Sequence, residues 1–141
     1  MTNLSEAFLA YVPYIALVTR VWLGGNMMIH GYPKIRNMKK TAEEMKQAVG
    51  IPAIATYVAT ILELFGGIFL IIGLIVPIMG LFFAIFMIAN IIMKKTKMKA
   101  AYIAQPSNPS YEIDITYLIL SLSLVVLGAG ALSIDSFIGL P

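Results

Sequence analysis

Cysteine is absent from the 141-residue chain, and charge is scarce, with only 12% of residues acidic or basic. The lack of thiols excludes disulfides, thiolate metal sites, iron–sulfur ligation and thiol–disulfide catalysis by this chain itself. Histidine occurs once, as His30, which excludes a bis-histidine haem. No glycine loop of the dinucleotide- or phosphate-binding kind is present. Any redox group must therefore be lipid-soluble or shared with a partner. Scarce charge combined with 60% hydrophobic residues excludes a soluble globular domain of this size and indicates an integral membrane protein.

Four apolar runs are long enough, or nearly so, to cross a bilayer, at about residues 7–29, 53–76, 77–93 and 113–132. They are continuously apolar, not alternating, which favours helices over a membrane β-barrel. The expectation is an all-α polytopic protein, one four-transmembrane-helix bundle over residues 1–141. Glu6 is the only charge ahead of the first run, and no basic leader region precedes it, so the first helix is expected to be retained.

Apart from Arg20, the basic residues lie in two connections. Lys34, Arg36, Lys39, Lys40 and Lys46 occupy the first, and Lys94, Lys95, Lys97 and Lys99 the second. The positive-inside rule places both connections in the cytoplasm, and both termini and the Val76–Pro77 turn outside. Within the first connection, Met38, Ala42, Met45 and Val49 recur at helical spacing before Gly50 and Pro52, and Thr41 with Glu44 has the form of a capping box. This segment reads as a short amphipathic helix on the inner surface, its lysines suited to anionic headgroups. The second connection ends in a turn-rich stretch from Gln105 to Ser110.

Arg20 and Glu63 sit deep inside separate apolar runs, where an isolated charge costs at least about 2.5 kcal/mol. Counted from the inner ends of the first two spans, each lies about ten residues in, which predicts an intramembrane ion pair. A register-fixing pair is the plain reading. The functional reading has Arg20 facing an anion or a quinone carbonyl, with Glu63 tuning it or passing a proton. A second polar group, His30, Lys34, Asn90, Tyr111, Glu112 and Tyr117, is expected near the inner surface as a candidate headgroup or quinone site, with Glu112 pairing with Lys34 or His30. Interfacial anchoring by tyrosine and snorkelling lysine is the plainer alternative. Met27, Met28 and His30 are soft ligands by type, but methionine in an apolar chain is core or lipid-facing filler, and no metal site is expected. Gly24, Gly25, Gly66, Gly67, Gly73, Gly128 and Gly130 are read as close helix-packing positions. Asp135, two residues after Ser133, is expected to cap a short C-terminal turn.

Taken in order, Arg20 with Gly24, His30-Gly31-Tyr32-Pro33-Lys34, Glu63-Leu64-Phe65-Gly66-Gly67 with Gly73-Leu74, Tyr111-Glu112, and Gly128-Ala129-Gly130 before Ser133-Ile134-Asp135 resemble the DoxX family over nearly the whole chain. The resemblance implies a small four-helix membrane protein, some of whose relatives form the membrane subunit of thiosulfate:quinone oxidoreductase or associate with redox and detoxifying enzymes. It therefore implies a subunit of a membrane-bound oxidoreductase complex, mainly structural and lining a quinone or small-substrate site, more an accessory subunit than a complete enzyme. A quinone-linked oxidoreductase acting with a partner is the alternative, and a small transporter ranks below both. The expected partners are the bilayer and other membrane subunits, or a second copy of the chain; nothing indicates nucleic acid.

Overall fold

The computed structural model describes residues 4–140; residues 1–3 and 141, the extremes of the expected domain, lie outside the described residues. The chain is all-helical. In order come α1 (Leu4–Leu9), α2 (Val12–Arg36), α3 (Met38–Val49), α4 (Ala53–Ile61), a π-helical turn (Leu62–Gly66), α5 (Gly67–Ile72), α6 (Val76–Thr96), α7 (Glu112–Leu127) and α8 (Ile134–Phe137). Extended pairing among the described residues is limited to two isolated bridges in the α6–α7 connection.

The segment Ala53–Ile72 and α6 are long and apolar enough to cross a membrane. Helix α2 is longer but is diluted by Arg20 and Asn26, and α7 has 16 residues, about 24 Å of rise. Large apolar side chains such as Trp22, Ile54, Phe82, Ile85 and Val126 point outward. An outward apolar surface of this extent belongs in lipid, not in water. Leu23, Met27, Leu70, Phe83, Met87 and Leu124 fill the interior. Hydroxyls facing the apolar surroundings return to their own helix: Ser121 Oγ donates to Tyr117 O at 2.7 Å and Ser123 Oγ to Ile119 O at 2.8 Å.

Helix α2 does not stop at Ile29. Pro33 sits inside its last turns and the helix continues to Arg36, placing Lys34 and Arg36 in the final turn, where cations oppose the helix dipole. Proline lacks one amide and disturbs one turn, but here the helix runs through it. The expected capping box is also not formed. Asn37 precedes α3 without a side-chain cap, and Thr41 lies within the helix, its amide donating to Asn37 O at 2.9 Å. Gly50 ends α3 as foreseen, in the left-handed region at φ 73°. Ala42 and Val49 are buried on one face of α3, with Met38 and Met45 half-buried beside them.

Helices α2 and α4–α5 run antiparallel and very close. A Cβ on Gly24 would lie 2.5 Å from Gly67 O, and one on Gly67 2.6 Å from Gly24 O. Backbone meets backbone there, so neither neighbour can yield. Gly67→Ala should separate the two helices and lower the thermal midpoint in detergent by several degrees. Gly25→Ala, with nothing within 4 Å of the new methyl, should leave it unchanged. Gly66 lies against Phe83, and a Cβ on Gly130 would lie 3.1 Å from Pro13 O. Gly128 is different: a Cβ there meets nothing, and its role is the turn at φ 68° that ends α7. Gly80, where a Cβ would lie 2.9 Å from Ser121 O, makes the corresponding close approach of α6 to α7.

Candidate functional site

The glycine contacts fix the register of α2 on its partner. Gly31 lies against Glu63 and Leu64, whereas the guanidinium of Arg20 lies against Gly73. Glu63 and Gly73 are ten positions apart, so Glu63 and Arg20 occupy levels separated by about 15 Å. The expected ion pair between them is not formed. Its premise was a first span ending at Ile29; with the helix continuing to Arg36, Arg20 lies farther from that end than Glu63 does.

Each residue has another partner. Lys34 Nζ donates to both carboxylate oxygens of Glu63 at 2.7 Å, with side chains 40% and 6% exposed respectively. The lysine stem reaches inward from the edge of the bundle while the carboxylate is enclosed. Glu63 lies in the π-helical turn, a departure from α geometry of the kind that recurs at functional positions. Thr56 and Thr60 are buried ahead of it, and Thr56 Oγ1 finds no hydrogen-bond partner among the described residues.

Arg20 belongs to the opposite end. Its Nη2 donates to Leu132 O, and Asp135 supplies the opposing charge. Nε and Nη1 have no hydrogen-bond partner among the described residues. Asp135 does not cap its own turn. Ser133 Oγ does that, accepting from Ser136 N at 3.1 Å. Asp135 instead accepts from Ile75 N at 2.6 Å and Val76 N at 2.9 Å, capping α6 from a segment about sixty residues away. It also stabilises Ile75, a β-branched residue at φ 47°.

On the Lys34 side, four helices converge. His30, one turn before Lys34 on α2, meets the Tyr117 ring edge-on, with centroids 6.4 Å apart. Asp114, one turn before Tyr117 on α7, accepts from Lys94 Nζ at 2.5 Å, and Lys94 also donates to Ser110 O at 3.1 Å. Glu63, Lys34, His30, Tyr117, Asp114 and Lys94 thus form a line of ionisable side chains across one end of the bundle. Of the expected group, His30, Lys34 and Tyr117 belong to it. Asn90 is half-buried on α6, and Glu112 is exposed and not paired with Lys34. Tyr111 packs on Tyr102 with centroids 5.7 Å apart and carries Lys95 Nζ 5.6 Å above its ring. Sequence reasoning missed Asp114 and Lys94. The available signal was an acid flanked by Ile113 and Ile115, one turn into an apolar run that follows a lysine pair.

Two shallow surface grooves are apolar and lie elsewhere, one along Ile119, Leu122 and Val126 and the other along Tyr11, Ile15 and Val18. Within the ionisable line His30 is exposed at the bundle surface and Lys34 partly so.

Residues 15–95 match the family model DoxX. A Bacillus subtilis (strain 168) protein named "Putative oxidoreductase CatD" is 31% identical over 122 residues, covering 86% of this chain and 85% of that protein. No solved structure matches.

Proposed function

The chain belongs to the DoxX family of membrane proteins, and from that premise we propose that it is a four-helix subunit of a membrane-bound oxidoreductase assembly whose ionisable line borders a quinone site shared with a partner. In this reading α2, Ala53–Ile72, α6 and α7 cross the bilayer as one domain. The Lys34 end faces the cytoplasm, as the positive-inside rule requires of the lysine-bearing connections, and α3 lies on that surface. The name of the B. subtilis relative supports the redox association.

The observation that carries the proposal is the line itself, with carboxylates and lysines in two close pairs joined through His30 and Tyr117. Surface His30 can donate to a carbonyl that a partner holds against it, and Tyr117 fixes the ring from behind. Glu63 and Asp114, each beside a lysine, can hold or release a proton toward His30. A bound quinone would supply an acceptor of two electrons and two protons, the electrons coming from a reduced centre in the partner. The bundle surface at His30 fits a headgroup pressed against it, not one enclosed within this chain. Thiosulfate as a donor reaching Arg20 from outside is not favoured, since that guanidinium is 1% exposed.

The test is purification from native membranes in mild detergent, mass spectrometry of what accompanies the chain, and quinone reduction by the isolated assembly. Redox subunits should co-purify. His30→Ala should reduce turnover by well over tenfold with abundance unchanged, and Tyr117→Leu, which removes the ring behind the imidazole, should also reduce it, by less. Normal turnover in both variants would remove the quinone site, and a chain isolated without redox subunits would remove the assembly role.

A further inference from the structure

The α6–α7 connection is not a slack loop. Ala101 N donates to Pro109 O at 3.2 Å and Tyr111 N to Ala101 O at 3.3 Å, while Gln105 and Asn108 exchange backbone hydrogen bonds across the tip. Ala100 N ties the segment back to Lys94 O at 2.9 Å. This folded loop leaves apolar side chains open at its surface: Tyr102, edge-on to Tyr111, is 52% and Ile103 64% exposed. Lys97 and Lys99 flank them, both exposed.

We infer that residues 97–111 form a wedge seated in the membrane interface, with Ile103 immersed beside the acyl chains, Tyr102 at headgroup depth and Lys97 and Lys99 on anionic lipid headgroups. The inference rests on the four-helix crossing proposed above. Tyrosine at headgroup depth beside lysine is the side-chain combination that an interface selects. Charge complementarity selects the lipid. At this end Arg36, Lys39, Lys40 and Lys46 are also exposed, against Glu43, Glu44 and Glu112. The surface is net cationic, and each lysine near an anionic bilayer favours contact by roughly fivefold. An acidic protein partner would satisfy the charge but would not require an isoleucine at the loop surface.

The cysteine-free chain allows site-specific spin labelling. Ile103→Cys, Ser107→Cys and Leu81→Cys would each be labelled with a nitroxide in vesicles of phosphatidylcholine alone or mixed equally with phosphatidylglycerol. Accessibility to oxygen and to a water-soluble nickel chelate reports depth. The expected result is position 103 more accessible to oxygen than to nickel in the anionic vesicles, and position 107 the reverse. Lys97→Gln with Lys99→Gln should weaken the immersed population by roughly fivefold for each charge removed, as should high salt. Position 103 in water in both vesicles would overturn the wedge. Immersion indifferent to phosphatidylglycerol would overturn its selection of anionic lipid, and immersion only after adding a membrane protein extract would assign the surface to a protein. Position 81, half-exposed on α6, must lie in hydrocarbon in every case; if it does not, the bilayer crossing itself fails.

Discussion

Asp135→Ala should destabilise the protein more than alanine at any other acidic position. Three interactions depend on that carboxylate. It satisfies the amides of Ile75 and Val76 at the start of α6, and it supplies the charge opposite Arg20, with Asp135 and Arg20 each 1% exposed. Losing an N-cap costs about 0.5–2 kcal/mol, and Arg20, which Asp135 faces without a direct salt-bridge contact, loses the opposing charge as well. Against a total stability of about 5–15 kcal/mol, that loss is large. Asp135→Asn retains a capping oxygen without the charge and should fall between. Arg20→Met should be milder than Asp135→Ala, because Asp135 then still has two amides. Thermal unfolding in detergent separates the three. A parental midpoint for Asp135→Ala would show that the C-terminal segment carries no stability.

The second large effect lies at the other end and is asymmetric. Lys34→Met leaves Glu63 as an enclosed carboxylate, whereas Glu63→Gln leaves a lysine whose side chain is 40% exposed and can turn toward water. Lys34→Met should therefore cost about 3–5 kcal/mol, the scale for a stranded buried charge, and Glu63→Gln distinctly less. The double variant should recover most of the loss, since no charge is then left unpaired. Exchange of Arg20 and Glu63, by contrast, should rescue nothing, because the two occupy different levels of the bundle. Equal losses for Lys34→Met and Glu63→Gln would contradict the assignment of Glu63 as the enclosed partner.

Much of the helical arrangement was legible in the sequence. Gly50 and Pro52 end α3, whereas Gly73, expected as a packing position inside a span running to residue 76, ends α5 in the left-handed region. Gly24 and Gly67 are packing positions as small residues in apolar helices should be. The failures at Arg20, Glu63 and Lys34 share one cause. The first span was ended at Ile29, where the apolar run gives way to His30-Gly31-Tyr32-Pro33-Lys34, when the helix continues to Arg36. That shift of about two turns moved Arg20 away from Glu63 and brought Lys34 to it. Local spacing says which side chains share a helix face, but the pairing of two helices also needs their relative register, and that was counted from an incorrect end. Asp135 was hidden for a different reason. Its partners are backbone amides about sixty residues away, and amides leave no mark in a sequence. Gly128 was read as packing because a glycine required by φ and a glycine required by space look the same as letters.

The hydrogen bond from Arg20 to Leu132 spans 112 residues of chain. At synthesis rates of about 5–20 residues per second, the arginine is made roughly 6–22 s before that carbonyl exists. Throughout that interval the nascent α2 carries a guanidinium whose partner carbonyl has not been made. A chain cut short of Leu132 keeps Arg20 within α2 but lacks the acceptor that closes this end of the bundle, so this end is completed last in synthesis.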